Sequence, residues 1–252
     1  MKPPRPRLLV TRPKGQENTL VADCEALGFA VVHFPCLDIQ ATDKQIEASD
    51  LAHVDAVVFT STNAVTYANQ KLSLPWNEID AYALGDATAK ALSALGQSVI
   101  RQPVPPYNSE AFVHLLQQQS SLPDRLLIVK GVGGRGYIEA QLEPTSTEVI
   151  TVDVYQRQCP TPDATLATRL SAPFDIISVM SNETLDNLVH LANPHLGTLL
   201  QHDLIVNSER TRQHAQQSGF TGNVYVAPHA GNSGQLEVLS NWLVDRAKRT
   251  SQ

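Results

Sequence analysis

Two stretches of this 252-residue chain read as copies of one another. Asp55-Ala-Val-Val-Phe-Thr-Ser-Thr-Asn-Ala-Val65 lines up with Asp175-Ile-Ile-Ser-Val-Met-Ser-Asn-Glu-Thr-Leu185, so Ser61 meets Ser181, 120 residues further on. Gly85-Asp-Ala-Thr88, ahead of a helical segment ending at Gly96, matches Ser208-Glu-Arg-Thr211, ahead of one ending at Gly219. Tyr107-Asn108-Ser109 matches Gly231-Asn232-Ser233, and Leu8–Pro13 matches Leu126–Gly131. The identities are sparse. The offset, however, stays between 118 and 124 residues throughout, and a near-constant offset marks a repeated architecture.

The order of the pieces predicts how the copies are threaded. One runs without a break from Asp55 to about Ile150. The other starts near Phe174, runs to the C-terminus and finds its last βαβ piece at the N-terminus. We therefore expect two similar domains, one inserted in the other. Residues 1–35 and 159–252 would form the discontinuous domain and 41–151 the inserted one. The chain would cross between them twice, at 36–40 and 152–158, as a two-stranded hinge. A cleft between two domains is a usual place for a small-molecule site.

Within each copy, short β-branched runs alternate with amphipathic stretches. Strands are expected near Arg7–Thr11, Ala30–Phe34, Ala56–Thr60, Ala81–Leu84, Ser98–Ile100, Arg125–Val129, Glu148–Val152, Asp175–Val179, Leu204–Val206 and Val224–Val226. Continuous Val/Ile/Leu runs of this kind suit strands buried on both faces of a parallel sheet. Helices Gln16–Leu27, Ala87–Leu95 and Arg210–Ser218 are each followed by a glycine suited to a left-handed C-terminal cap. The fold class that results is α/β, with two similar flavodoxin-like parallel-sheet domains.

Composition narrows the function. Hydrophobic residues make up 42% and charged residues 17%, enough for packed cores. Net charge is −6, and a sequence-independent nucleic-acid binder would need a basic surface. No apolar run reaches the roughly 18 residues of a membrane span, and the Leu8-Leu9-Val10 run is too short for a secretory signal. Three widely spaced cysteines, Cys24, Cys36 and Cys159, argue against a disulfide framework and fit a reducing cytoplasm. The eight histidines form no metal-binding spacing, and no nucleophile elbow or phosphate-binding P-loop is present. Nothing cationic beside Cys36 or Cys159 is visible to activate a thiol.

The chemistry is expected where strand C-termini meet helix N-termini along one edge. Those points hold Thr11-Arg12, Thr60-Ser61-Thr62-Asn63, Gly85 to Thr88, Lys130-Gly131, Ser181-Asn182 and Ser208 to Thr211. Ser, Thr and Asn there have an ordinary role as helix caps. They have a functional one as anion donors, backed by exposed amides and the helix dipole. Two matching sets facing each other across a cleft would favour the second role. Tyr155, in the second crossing, reads equally as a structural tyrosine or as a general acid. Gly131-Val-Gly-Gly-Arg-Gly136, with Asp153 about 20 residues on, fits the dinucleotide-binding fingerprint. Pro144 would keep the helix after it short, and the matching Arg12-Pro13-Lys14-Gly15 has no such glycine pattern.

Taken together, these pieces resemble the uroporphyrinogen-III synthase family over nearly the whole chain. The resemblance rests on Val10-Thr11-Arg12-Pro13, Phe59-Thr60-Ser61-Thr62-Asn63-Ala64-Val65, Gly85-Asp86-Ala87-Thr88-Ala89, Lys130-Gly131-x-x-Gly134-Arg135 and Val154-Tyr155-Gln156-Arg157. Lys130 stands where arginine is common in the family, and Ser208-Glu209-Arg210-Thr211-Arg212 replaces a plain Gly-x-x-Thr-Ala. The resemblance implies a cofactor-free, cytoplasmic, monomeric hydro-lyase of heme and tetrapyrrole biosynthesis. Such an enzyme dehydrates and cyclises hydroxymethylbilane with inversion of ring D. It would meet the preceding pathway enzyme only transiently, and neither nucleic acid nor membrane. Tyr155 would be the catalytic acid. Arg12, Thr60, Ser61, Thr62, Asn63, Gly85, Thr88, Lys130, Gly131, Arg135, Ser181, Asn182, Ser208 and Thr211 would contact substrate. Two other readings remain at this point: an NAD-dependent oxidoreductase using Gly131–Gly136, and a two-domain ligand-binding protein without catalysis.

Overall fold

The computed structural model describes residues 4–43, 53–71, 79–97, 100–162, 168–170, 174–193, 195–229 and 231–250. The chain opens with β1 (Arg7–Val10), α1 (Asn18–Ala26) and β2 (Ala30–His33). There follow β3 (Asp38–Ala41), β4 (Ala56–Phe59), α2 (Thr62–Lys71), β5 (Asp80–Ala83), α3 (Asp86–Ala94) and β6 (Ile100–Arg101). Next come α4 (Ser109–Gln117), β7 (Arg125–Gly131), α5 (Tyr137–Leu142) and β8 (Glu148–Gln158). The chain ends with β9 (Ile176–Ser178), α6 (Asn182–Leu191), α7 (Leu196–Leu199), β10 (Asp203–Val206), α8 (Glu209–Gln217), β11 (Val224–Val226) and α9 (Asn232–Thr250).

Packing divides these elements into two compact units, Met1–Asp38 with Gln158–Gln252, and Ile39–Arg157. The first holds a five-stranded sheet in the order β11-β10-β9-β1-β2. Its strands pair in parallel, for example Leu9 opposite Ile177 and Ile205 opposite Tyr225. Counted along the chain this is the 2-1-3-4-5 flavodoxin order. The second unit holds a six-stranded sheet, β3-β8-β7-β4-β5-β6, again parallel where β4, β5, β6, β7 and β8 pair. Without β3 it is the same arrangement started at a different strand: β4 takes the place of β9, β5 of β10, β6 of β11, β7 of β1 and β8 of β2. The first four of these follow the matches drawn from the repeat.

Alternation along each strand builds two apolar layers per sheet. In the inserted unit Val57, Phe59, Leu127 and Val129 pack on one face against α2 residues Ala64, Val65 and Ala68. Ala56, Val58, Leu126 and Ile128 pack on the other against Phe112 and Leu116 of α4. In the discontinuous unit Leu8, Val10, Ile176 and Ile205 face Leu20, Cys24 and Trp242, while Leu9, Ile177, Leu204 and Val206 face Leu185 and Leu188. Both faces being covered is why these strands read as unbroken Val/Ile/Leu runs. Gly28, Gly96 and Gly219 close α1, α3 and α8 with φ of +103°, +89° and +93°, the left-handed turn expected of them.

Neighbouring strands run through the two expected crossings. Residues Asp38–Ala41 form edge strand β3, and 152–158 continue β8 without a break. The Thr42 amide donates to the Val154 carbonyl at 3.2 Å, and the Tyr67 hydroxyl donates to the Ile39 carbonyl at 2.6 Å. Asp153, Gln156 and Arg157 interrupt the apolar run of β8, so the sequence reads its two halves as separate pieces, a sheet strand and a linker strand. Residues 98 and 99 of the expected Ser98–Ile100 strand lie outside the described residues; Ile100–Arg101 pairs with β5.

Candidate active site

In an open parallel sheet, ligands bind beyond the carboxyl ends of the strands where the winding reverses direction. In the inserted unit that point lies between β4 and β7, which pair directly from Ala56/Leu126 to Phe59/Val129. Thr60 and Ser61 follow the one strand; Lys130 and Gly131 end the other. A cleft of about 380 Å³ opens there, lined by Thr60, Ser61, Lys130, Gly131, Arg135 and Tyr155 among others. In the discontinuous unit the same point lies between β1 and β9, and presents Thr11-Arg12 and Met180-Ser181.

Tyr155 is a buried residue of β8, 6% exposed. A register shift between Lys130 and Gly131 sets Gly131 opposite Tyr155. The phenol ring then lies across the α-carbon of Gly131, and a β-carbon there would sit 2.5 Å from Cζ. Tyr67 of α2 stacks on the same ring, with centroids 5.8 Å apart and planes 25° apart. The Tyr155 hydroxyl meets the Ser61 hydroxyl at 3.2 Å. Ser61 in turn accepts from the Ala64 amide at 3.1 Å and so caps α2. The phenol is thus held by glycine below, tyrosine on its face and a helix-capping serine at its tip.

The cations around this cleft are already engaged. Lys130 donates to the Gly133 carbonyl at 2.7 Å, with Asp153 at 3.5 Å and Glu139 at 3.9 Å. Arg135 makes a bidentate pair with Glu110 of α4, at 2.6 and 3.0 Å. That bond is the first cause holding the Glu110 carboxyl below its usual range and the Arg135 guanidinium above its own. Both side chains are largely exposed. Asp153, the acid that would read a ribose in a dinucleotide site, is turned to Lys130. The helix after Gly136 has only six residues.

The discontinuous unit differs in its cation. Arg12 gives one guanidinium nitrogen to the Asn232 side chain, while its Nε is buried without a partner. Burial lowers its pKa, and among the described residues no carboxylate offsets that. Asn108, the match of Asn232 in the repeat, instead caps α4 by accepting from the Ala111 amide at 2.8 Å. One position of the repeat therefore serves a helix in one unit and an arginine in the other.

Helix starts at the two rims are capped by serine at three places. Ser181 accepts from the Thr184 amide and Ser208 from the Thr211 amide, both at 3.2 Å, as Ser61 does for α2. Each of the first two also meets the threonine hydroxyl, at 2.9 and 3.0 Å. Gly85 gives α3 no side-chain cap. The serine that replaces glycine ahead of Thr211 thus occupies an amide. Thr88 and Thr211 are both buried. Thr62 is exposed on the first turn of α2, Asn63 and Asn182 are half-buried, and the Asn182 Oδ1 is buried without a partner.

Of the expected residues of the inserted unit, Thr60, Ser61, Lys130, Gly131, Arg135 and Tyr155 share the cleft; Thr62, Asn63, Gly85 and Thr88 lie off its lining. Glu110, Tyr67 and Arg157 were not anticipated. Glu110 carries no local signal, since its partner lies 25 residues on in a loop. Burial disfavours the thiolates: it pushes Cys24 up to about 12, Cys36 well above its usual value and Cys159 upward. Among the described residues no group of three acids, histidines or cysteines could hold a metal ion.

The family model described as uroporphyrinogen-III synthase HemD matches residues 18–237. The chain belongs to that family. It is 30% identical to the uroporphyrinogen-III synthase of Escherichia coli and 31% identical to that of Salmonella typhimurium. Each match covers 92% of this chain and 99% of the relative. The fold is similar to that of uroporphyrinogen-III synthetase from Helicobacter pylori, with a TM-score of 0.64 at 16% identity, over 94% of this chain and 99% of that one. A mutant uroporphyrinogen III synthase from Thermus thermophilus aligns with a TM-score of 0.55 at 16% identity, over 95% and 99% of the two chains. As a uroporphyrinogen-III synthase family member the chain is an enzyme of tetrapyrrole biosynthesis, of lyase type. Among the described residues no helix is long and apolar enough to cross a membrane.

Proposed function

We propose that this chain cyclises hydroxymethylbilane to uroporphyrinogen III, with Tyr155 as the acid that starts the reaction. The observation that carries the role of Tyr155 is its placement. A phenol fixed on three sides stands in the cleft at the winding reversal of the inserted sheet.

The substrate is a linear tetrapyrrole with an acetate and a propionate on every ring. Tyr155 gives its proton to the terminal hydroxyl, the carbon–oxygen bond breaks with its electron pair going to oxygen, and water leaves. The carbocation left behind is stabilised by its pyrrole. Attack by the substituted carbon of ring D forms a spiro intermediate, whose opening and reclosure invert that ring. The proton lost when the macrocycle regains its aromatic pyrroles returns to the Tyr155 oxygen. Substrate thus becomes product plus water, with no redox change and no cofactor in the balance.

Closure at the wrong carbon needs no help, so the protein's task is orientation. Carboxylates must be gripped by a chain of net charge −6. Helix N-terminal amides left free by the caps, with the polar side chains of Thr60, Ser61, Thr62, Asn63, Thr88, Ser181, Asn182, Ser208 and Thr211, supply donors without net charge. Arg12, with no acid beside it among the described residues, adds a positive charge; Lys130 and Arg135 contribute what their own acids leave free. Gly131 serves by seating the Tyr155 ring, and Gly85 by leaving the start of α3 without a side-chain cap. The enzyme acts as a cytoplasmic monomer that meets the enzyme supplying its substrate only in passing; its three free thiols suit a reducing compartment.

Replacing Tyr155 by phenylalanine keeps the ring between Gly131 and Tyr67 and removes only the proton. Turnover of hydroxymethylbilane falls substantially, about 100-fold on the scale of general acids, while the melting temperature stays near that of wild type. Wild-type turnover in this variant would take Tyr155 out of the mechanism.

A further inference from the structure

The geometry points to Ser61 as a positioning residue for Tyr155: its hydroxyl donates to the phenolic oxygen, steers the phenol's own proton into the cleft and holds the phenolate after that proton has gone. This rests on the reading of Tyr155 as the acid. It changes what Ser61 is for, from a ligand of substrate carboxylates to a partner of the catalytic group.

The hydrogen-bond inventory of Ser61 leads there. A serine hydroxyl has one proton and two lone pairs. One lone pair is taken by the Ala64 amide at 3.1 Å, which fixes the oxygen at the start of α2. The Tyr155 oxygen lies 3.2 Å away and is the hydroxyl's partner on the cleft side. With Ser61 as donor, the phenolic proton is released from this bond and turns to the space lined by Thr60, Lys130 and Gly131. Once Tyr155 is ionised, its oxygen can only accept, and the same bond becomes charge-assisted and stronger. A bond that tightens as the proton leaves accelerates the chemical step rather than substrate binding. The match in the repeat sharpens the case. Ser181 makes the equivalent cap on Thr184 but turns its hydroxyl to the threonine hydroxyl at 2.9 Å. The cap is common to both units; the tyrosine partner belongs to Ser61 alone of the pair.

The test is a double-mutant cycle on hydroxymethylbilane turnover with Ser61→Ala, Tyr155→Phe and the pair, and with Ser61→Thr as the conservative variant. Ser61→Ala lowers kcat by about 10- to 100-fold, the usual scale of a hydrogen bond to a charged oxygen, and leaves KM within about twofold of wild type. Ser61→Thr restores most of kcat. In the Tyr155→Phe background Ser61→Ala costs nothing further, because no phenolic oxygen remains to receive the bond. Equal losses in both backgrounds would reduce Ser61 to a helix cap and overturn the proposal. A loss confined to KM would return it to substrate binding and overturn it as well. Full activity of Tyr155→Phe would instead remove the underlying reading, an outcome the single variant reveals by itself. Folding of every variant is checked by its thermal melt, where the lost cap shows equally in both backgrounds.

Discussion

The Tyr155 ring rests on the α-carbon of Gly131, so closely that a methyl group there would stand 2.5 Å from Cζ and 2.7 Å from Cε2. The glycine is required by space: its backbone is not in the left-handed region, and any residue could adopt it. Gly131→Ala must therefore push the phenol off its seat or bend β8. Urea denaturation should show a loss of about 1–3 kcal/mol, the range of overpacked sites. Turnover should fall at least as far as in Tyr155→Phe, since a displaced acid is also an obstruction. An alanine variant with wild-type turnover would contradict the seating.

Arg12 carries a charge into a half-buried place where no acid among the described residues meets it. Such a group costs stability, and the proposed hold on a substrate carboxylate is what would offset that cost. Arg12→Met should leave the melting temperature unchanged or raise it. The same variant should raise KM for hydroxymethylbilane about tenfold, the scale of one charge-assisted hydrogen bond to a carboxylate. A destabilised variant with unchanged KM would make Arg12 a structural residue.

Glu110 holds Arg135 in a bidentate pair, so a substrate carboxylate reaching Arg135, as proposed, has to displace that acid. Glu110→Gln should lower KM about two- to fivefold, as an exposed pair allows, with kcat unchanged. The pH dependence follows from the direction of the shift. Arg135 holds the Glu110 carboxyl below its usual range. The pair is therefore complete above the ordinary carboxylate pKa and is lost only as pH falls through the depressed one. The difference in KM between wild type and variant should be flat from about pH 8 to about pH 5 and shrink below that. A difference that already closes near neutral pH would show that Glu110 is not the competitor.

Ser208 spends its oxygen on the Thr211 amide. Ser208→Ala should cost about 1 kcal/mol in urea denaturation, a typical cap. Ser208→Gly restores the residue of the plain Gly-x-x-Thr piece and opens the amide. It should cost only a few tenths of a kcal/mol and lower KM. An alanine variant as stable as wild type would deny the cap.

The repeat made the architecture legible: matching Leu8–Pro13 to Leu126–Gly131 anticipates that β1 and β7 hold the same place in their sheets. Strands buried on both faces announce themselves by Val/Ile/Leu runs, and glycine caps announce helix ends. The site was legible only as a rim of candidates. A Ser-Thr-Asn cluster at a helix start looks the same whether it caps, binds anions or steadies a tyrosine; Ser61, Ser181 and Ser208 separate only when their partners are seen. Tyr155 could be put on an extended segment from the sequence, but its seat on Gly131 and its bond to Ser61 depend on sheet register, which no local pattern encodes. The pairings of Arg135 with Glu110 and of Arg12 with Asn232 join residues far apart in the chain, which no local pattern encodes.

The claim beneath all of this is that the protein steers one cyclisation against its spontaneous competitor. The direct measurement is to incubate the purified chain with hydroxymethylbilane, oxidise the products to porphyrins and resolve the isomers chromatographically. The account predicts uroporphyrin III in large excess, formed faster than isomer I appears without protein. Isomer I alone, at the rate of the protein-free control, would contradict it.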